Sequence, residues 1–413
     1  MKKMIAREAA SRPAWETLET FARAQVQEFI QQLLEDEVTE LLGREKSERR
    51  ATVDAPRGSR NGHGKPRQLA LMNGTIAVQR PRVRDVEERF VSRLLPLFQR
   101  RTTAVAALLP ELYLHGLALG DFELALRGLL GDGAPLSVSS LVRLKAAWQA
   151  QYTAWQERDL SGCRLVYLWA DGVYVKAGLD TSKAALLVLI GADADGHKVV
   201  LAVVSGQRES TESWAAVLRD LKRRGLRAPK LTIADGHLGI WSALAAVYPE
   251  SAEQRCWNHK LRNVLDTVPR KHQAEVKAAL QAIASADSTR TATALRDTFA
   301  RTYRRAHPKA VERLTHDWER MIAYYAFPTE HWTHLRTTNV IESPFAAVRL
   351  RTSAAKRFKK VENATALIWK TLLVVEQHFR KLNAPHLCTT VYDGAIYRDG
   401  VYVIPTTRAR RAA

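Results

Sequence analysis

The chain has 413 residues and is 46% hydrophobic, enough apolar material for about two to four packed domains. Its 63 Lys and Arg outnumber 43 Asp and Glu, giving a formal charge of +20, which points to a polyanionic partner, nucleic acid before an anionic membrane surface. Three widely spaced cysteines (Cys163, Cys256, Cys388) argue against a disulfide framework, no apolar h-region follows Lys2 and Lys3, and the longest apolar run, Ala184 to Ala192, is strand-sized, so the expectation is a cytoplasmic, DNA-associated protein with no membrane partner.

In chain order, Val26, Phe29, Ile30, Leu33, Leu34, Val38, Leu41 and Leu42 recur at helical spacing, and Gly43 offers a stop. This stripe serves equally as a dimer seam or as a face packed on its own domain. The basic stretch from Arg44 to Arg67 reads as a loop. Leu69 to Met72, Asn73-Gly74 and Thr75 to Gln79 read as a β-hairpin with Asn-Gly in a type I′ turn. Arg80, Arg82 and Arg84 follow and are candidate DNA contacts, as are Arg143 and Lys145 further on. Asp121 to Leu130 and a helix capped by Ser137, carrying Arg143 and Lys145, flank a turn; this pattern is compatible with a helix-turn-helix and equally with a plain bundle.

Near residue 164 the pattern changes. Leu165 to Ala170, Ala184 to Ile190 and Val199 to Val204 are apolar runs of strand length, the last two joined through Asp195-Gly196. Thr211 to Gly225 is helical, Lys230 to Ala234 a strand and Leu238 to Val247 a helix. Three strands, a helix and a fourth strand placed beside the first give an α/β fold with an RNase H-like core. Asp266 to Pro328 is helical without strand candidates and reads as an insertion. Thr338 to Arg349 and Ala364 to Leu382 are further helices, and Val401 to Ile404 a short strand. The expected segments are an N-terminal helix (1–48), a basic loop and hairpin (49–100), a helical DNA-binding region (101–158), the first part of the core (159–265), the insertion (266–328), the second part of the core (329–385) and a tail (386–413).

Asp171 and Asp235 each end a predicted buried strand, and each is followed by glycine. Either alone is an ordinary turn former. On neighbouring strands of a basic chain, the pair needs a cation, and hard oxygen ligands select Mg²⁺ or Mn²⁺. Two such ions suit phosphodiester displacement. Glu342 is either a capping-box residue of a helix begun by Asn339 or a third carboxylate for this site. If Ser343 is the cap instead, Pro344 takes the first helical position. Arg349, Arg351, Lys356, Arg357, Lys359 and Lys360 follow as phosphate contacts or as a solvated face. In the helical stretch, Trp318 is a candidate for stacking on an unpaired base, with a place in the core as the alternative.

The motifs Ala170-Asp-Gly-Val-Tyr-Val-Lys176, Ala234-Asp-Gly-His-Leu-Gly239, Arg255-Cys-Trp-Asn-His-Lys260 and Thr337-Thr-Asn-Val-Ile-Glu342, in this order, resemble the mutator-type transposases of bacterial insertion sequences, which are DDE transposases. Arg60-Asn-Gly-His63 and Gly74-Thr-Ile-Ala-Val78 share the likeness, which spans roughly residues 20 to 385. The resemblance implies Asp171, Asp235 and Glu342 as the metal-binding triad. It makes Cys256 and His259 the family's C-x-x-H signature, supporting the active site together with His237. Two ligand-type residues alone do not make a zinc site. The resemblance further implies terminal inverted repeats and target DNA as partners, joining of ends through a circular intermediate, and a homodimer or higher oligomer that pairs two ends. An RNase H-like nuclease without strand transfer and a DNA-binding regulator with a degenerate catalytic domain are the rival readings.

Overall fold

A computed structural model describes residues 15–53, 56–117, 121–130, 138–177, 183–206, 210–236, 238–355 and 357–404. The chain forms two compact units, Met1–Arg143 and Leu144–Ala413.

In the first unit, α1 (Leu18–Leu42) ends at Gly43, whose φ of +62° suits the left-handed C-terminal stop. It is followed by β1 (Ser59–His63), β2 (Arg67–Leu71), β3 (Gly74–Val78), β4 (Pro81–Arg84), α2 (Thr103–Leu114) and α3 (Phe122–Leu130); α4 (Val138–Gln156) carries the boundary between the units. Leu34 joins Leu69, Ile76, Val78 and Leu95 in a core against which Ile30 packs, so one side of the α1 stripe serves its own domain. Phe29 stays 63% exposed. Polar residues on α1 complete the sheet edge: Gln27 accepts from the Ala77 N–H at 3.0 Å, and Gln31 both accepts from Gln79 N–H and donates to its carbonyl at 2.9 Å.

Two local expectations are corrected. The basic stretch is not all loop, because β1 pairs antiparallel with β4, Arg60 opposite Val83. The hairpin turn is Met72-Asn73, since Leu71 already pairs with Gly74, and Gly74 opens β3 with a φ of +123°. The turn proposed at Gly131 to Leu136 and its Ser137 cap lie outside the described residues, so the geometry between α3 and α4 carries no reading.

The second unit is built on a sheet of β5 (Leu165–Lys176), β6 (Lys183–Asp193), β7 (Lys198–Gly206), β8 (Leu231–Ala234) and β9 (Ala252–Arg255), in the order β7-β6-β5-β8-β9. Strands β5, β6 and β7 form an antiparallel meander, whereas β8 and β9 run parallel to β5. Helices α5 (Thr211–Arg223) and α6 (Leu238–Val247) cover one face, where Trp214, Leu218, Trp241 and Leu244 meet Leu168, Ala170, Leu187 and Leu189. On the other face the Tyr167 ring lies 5.5 Å from Phe327, its hydroxyl 2.8 Å from His331 Nδ1, and the Trp169 indole donates to His334 O. Burial on both faces explains why β5 begins as an unbroken apolar run.

The remaining helices are α7 (Trp257–Leu265), α8 (Gln273–Ala284), α9 (Thr289–Tyr303), α10 (Pro308–Thr315), α11 (Trp318–Ile322), α12 (Trp332–Leu335), α13 (Asn339–Glu342), α14 (Phe345–Ala355), α15 (Val361–Glu376) and α16 (His386–Tyr392). The stretch from α8 to α11 contains no strand, in line with its sequence. A last hairpin pairs β10 (Tyr397–Arg398) with β11 (Val401–Tyr402). Among the described residues no helix is long and apolar enough to cross a membrane.

Candidate active site

The register of the parallel ladder places the two aspartates. Ala170 of β5 pairs with Ala234 of β8 as the last pair, so Asp171 and Asp235 leave that ladder side by side. Asp171 is not the end of its strand, because β5 runs on to Lys176 against β6. Its carboxylate accepts from the Gly172 N–H at 2.8 Å. Burial pushes the Asp171 carboxyl up to about 7; the Gly172 hydrogen bond and His259 oppose the rise, while the charges of Asp235 and Glu342 add to it. Three acids therefore feel one another here.

Asp235 is held through its backbone. Ala234 pairs with Arg255 of β9, and the Arg255 guanidinium donates to Asp235 O at 3.3 Å while pairing with Asp317 at 3.0 Å. Burial alone would raise the Asp317 carboxyl, but His316, Lys260 and Arg255 hold it below the usual range. Gly236 lies under this arginine with a φ of +100°, and a Cβ there would come within 2.1 Å of Arg255 Nε. Gly236→Ala should therefore cost about 1–3 kcal/mol from backbone strain alone, read by chemical denaturation. An unchanged denaturation midpoint would mean that the turn at residue 236 does not hold the left-handed conformation under strain.

Glu342 closes α13, which packs on β5 and β6. Neither Asn339 nor Ser343 caps this helix. Thr338 occupies the cap, and Ser343 keeps helical angles (φ −59°, ψ −51°) before Pro344 and α14. The Thr338 hydroxyl contacts Glu342 Oε1 and lies 3.2 Å from Cys256 Sγ and 3.4 Å from His259 Nδ1. Cys256 and His259 open α7 directly after β9, and His259 Nδ1 stands 3.8 Å from Glu342 Oε1. Its contact with Cys256 raises the imidazole, burial opposes this, and Asp235 and Glu342 add to it, so His259 reaches about 9 and is a cation at neutral pH.

Among the described residues, two groups bring metal-ligand atoms within 4.8 Å of one another: Cys256 with His259 and Glu342, and Asp193 with Asp195 and His197. The first is arranged around the Thr338 hydroxyl. In the second, Asp193 Oδ1 accepts from the N–H groups of Asp195 and His197 at 3.0 and 2.8 Å, closing the β6–β7 turn.

The other sequence candidates divide. Arg82, Arg84, Arg143, Arg349, Arg357, Lys359 and Lys360 are exposed, and Arg80 and Lys145 are half-buried. Burial, and then neighbouring Arg100 and Arg80, lower Arg67, and burial, and then Arg143, lower Arg101. Phe358 bridges to Ala177, bringing the segment with Arg357, Lys359 and Lys360 to the end of β5. Arg351 is corrected: at 2% exposure it is internal to the fold and presents nothing to a phosphate. Trp318 is likewise internal, 7% exposed, edge-on to Trp257 and covered by Arg296. His237 and Lys356 lie outside the described residues. Sequence reasoning missed Thr338 and Arg255 as site residues. For Thr338 the available signal was its spacing four residues before Glu342, one helical turn.

Residues 2–381 match the family described as Transposase, Mutator family. The chain is 45% identical over 296 residues to the transposase for insertion sequence element IS6120 of Mycolicibacterium smegmatis, an alignment covering 72% of this chain and 92% of the relative. It is 41% identical over 279 residues to the transposase for insertion sequence element IST2 of Acidithiobacillus ferrooxidans, covering 67% and 94% respectively. A third relative, the transposase for insertion sequence element ISRM5 of Rhizobium meliloti, is 30% identical over 359 residues, or 86% of this chain and 87% of the relative. With a family match over nearly its whole length and relatives of this similarity, the chain belongs to the Mutator family of transposases.

Proposed function

We propose that this protein is a DDE-type DNA transposase that binds the terminal inverted repeats of an insertion sequence and catalyses metal-dependent DNA cleavage and strand transfer. The observation that carries the reading is the register that sets Asp171 beside Asp235, with Glu342 close enough to raise the Asp171 carboxyl. The strand order, an antiparallel meander followed by two strands parallel to its first, supports an RNase H-like core. The helical stretch before Glu342 supports an insertion at 266–328.

The charges of Asp235 and Glu342 add to the rise of the buried Asp171 carboxyl, and three carboxylates are a hard-oxygen donor set, which fits two Mg²⁺ or Mn²⁺ ions held by Asp171, Asp235 and Glu342. Bound there, the ions would supply positive charge to the attacking and leaving oxygens of a phosphodiester displacement. The chain's own residues hold the ligands in place: Gly172 N–H orients Asp171, Arg255 grips the backbone of Asp235, and Thr338 takes one oxygen of Glu342. Protonated His259 offsets part of the negative charge before any cation arrives. In the first displacement water cleaves at the element end and frees a 3′-hydroxyl; in the second, that hydroxyl attacks target DNA. Pairing two ends calls for a homodimer or higher oligomer.

A pre-cut end carrying a 3′-hydroxyl, incubated with target plasmid, Mg²⁺ and the protein, should yield covalently joined product. Hydrolysis without joining would make the protein a nuclease instead.

Phosphate contact is assigned to the exposed basic residues, Arg82, Arg84, Arg143, Arg349, Arg357, Lys359 and Lys360. Affinity for duplex ends should then fall linearly in log–log salt plots with a slope near −0.9 per neutralised phosphate, about a thousandfold between 50 and 200 mM salt for roughly six contacts. A flat titration would contradict DNA binding through these residues.

A further inference from the structure

Glu342 is the least supported of the three acids by its own element. It ends a helix of four residues that gives way at Ser343-Pro344, whereas Asp171 lies within a twelve-residue strand and Asp235 directly follows β8, which is paired on both sides. Ordering a free glutamate side chain costs rotamer entropy, so something outside α13 must hold this carboxylate if it is to be ready for a cation.

Thr338 is fully buried and meets the need. Its hydroxyl has one proton and three polar neighbours: Glu342 Oε1, Cys256 Sγ at 3.2 Å and His259 Nδ1 at 3.4 Å. The carboxylate is the strongest acceptor and the shortest contact, so the proton points to Glu342, and the thiol and imidazole lie on the lone-pair side. The Thr338 N–H donates to Cys256 Sγ at 3.3 Å, which fixes the threonine backbone as well. Neighbouring bonds extend the junction: Trp257 N–H donates to Arg336 O at 2.9 Å, and the Asn258 side-chain amide donates to Asn339 Oδ1 at 3.0 Å. The C-x-x-H turn thus lies along residues 336–342 and grips the segment that bears the glutamate.

We propose that Thr338 is a positioning residue, whose hydroxyl, backed by Cys256 and His259, fixes one oxygen of Glu342 and leaves the other for the divalent cation; the inference rests on the triad reading above. It gives the C-x-x-H pair a role as a clamp on the third acid through the threonine. Outer-shell partners of this kind are worth about 10- to 100-fold in metal affinity.

The test compares Thr338→Ser with Thr338→Ala, which both lose the γ-methyl and differ in the hydroxyl, with isosteric Thr338→Val alongside. Mn²⁺ affinity is read by electron paramagnetic resonance of the free ion, with thermal unfolding and end cleavage against Mn²⁺ concentration measured on the same samples. The serine variant should bind Mn²⁺ as the parent does, whereas the alanine and valine variants should bind about 10- to 100-fold more weakly. They should regain cleavage at high Mn²⁺ with unchanged DNA affinity. Equal Mn²⁺ affinity in the serine and alanine variants overturns the proposal. Glu342→Gln separates the two levels of the argument: if it cleaves like the parent, the triad reading falls. If it is inactive while alanine at 338 matches serine, the positioning role alone falls.

Discussion

Asp171→Asn, Asp235→Asn and Glu342→Gln are each expected to lower end cleavage by about a thousandfold or more, equivalent to roughly 4 kcal/mol of transition-state stabilisation. DNA affinity should hold, because phosphate contacts lie with basic side chains elsewhere. The amides keep the shape of the acids and remove the charge that a hard cation needs. At position 171 the effect on metal-free stability has the opposite sign. The Asp171 carboxyl is raised from its ordinary value of 3.8 to about 7, so between those values the folded protein holds a proton that the unfolded chain has lost. Stability contributed by this group is present below the ordinary value and is lost as pH rises through 7. Asp171→Asn should remove that loss, leaving the metal-free variant more stable than the parent at pH 8. Full cleavage by any of the three variants would remove that residue from the triad.

Trp318→Ala is expected to destabilise the second unit by about 3–5 kcal/mol, the usual cost of emptying a buried tryptophan site. Trp318 is 7% exposed, stands edge-on to Trp257 at 6.3 Å, and has the Arg296 guanidinium over its ring at 4.7 Å. Trp257 in turn donates to Met321 O at 2.9 Å and follows Cys256, so the cavity would open behind the C-x-x-H turn. A lower apparent Tm with unchanged affinity for an unpaired end is the expected pair of results. The reverse, a parental Tm with lost end affinity, would restore Trp318 as a base-stacking residue.

The strands that carry the aspartates were legible because burial on both faces writes a strand as a continuous apolar run, as in Leu165 to Ala170 and Leu231 to Ala234. The continuation of β5 beyond Asp171 was written differently, as alternation: Val173 and Val175 are buried and Tyr174 is exposed. Strand β9 left no apolar trace. Its Ala252-Glu253-Gln254-Arg255 is held by the parallel ladder and by buried Gln254, which accepts from Tyr324 N–H and donates to Met321 O. Polar β1 escaped for the same reason, its pairing with β4 being a backbone matter. Arg351 read as one of a run of basic residues, but the run is helical through Ala355, and the helix turns that one residue inward while Arg349 and Leu350 face out. Of the candidate site, Asp171 and Asp235 were legible as acids directly after buried apolar runs, although β5 continues past Asp171, and Glu342 was legible through its motif at a helix. The threonine had only its spacing to Glu342, one helical turn, as a signal; its contact with Cys256 spans 82 residues and left none.

The central claim is that Asp171, Asp235 and Glu342 form one metal-dependent centre for DNA cleavage. Purified protein incubated with the ends of its own element and Mg²⁺, with cut positions mapped to the nucleotide, tests it most directly. The account predicts a 3′-hydroxyl at the element terminus that appears with Mg²⁺ or Mn²⁺, disappears with chelator and is absent with Glu342→Gln. Terminal cleavage that persists in chelator, or that survives in Glu342→Gln, would contradict it.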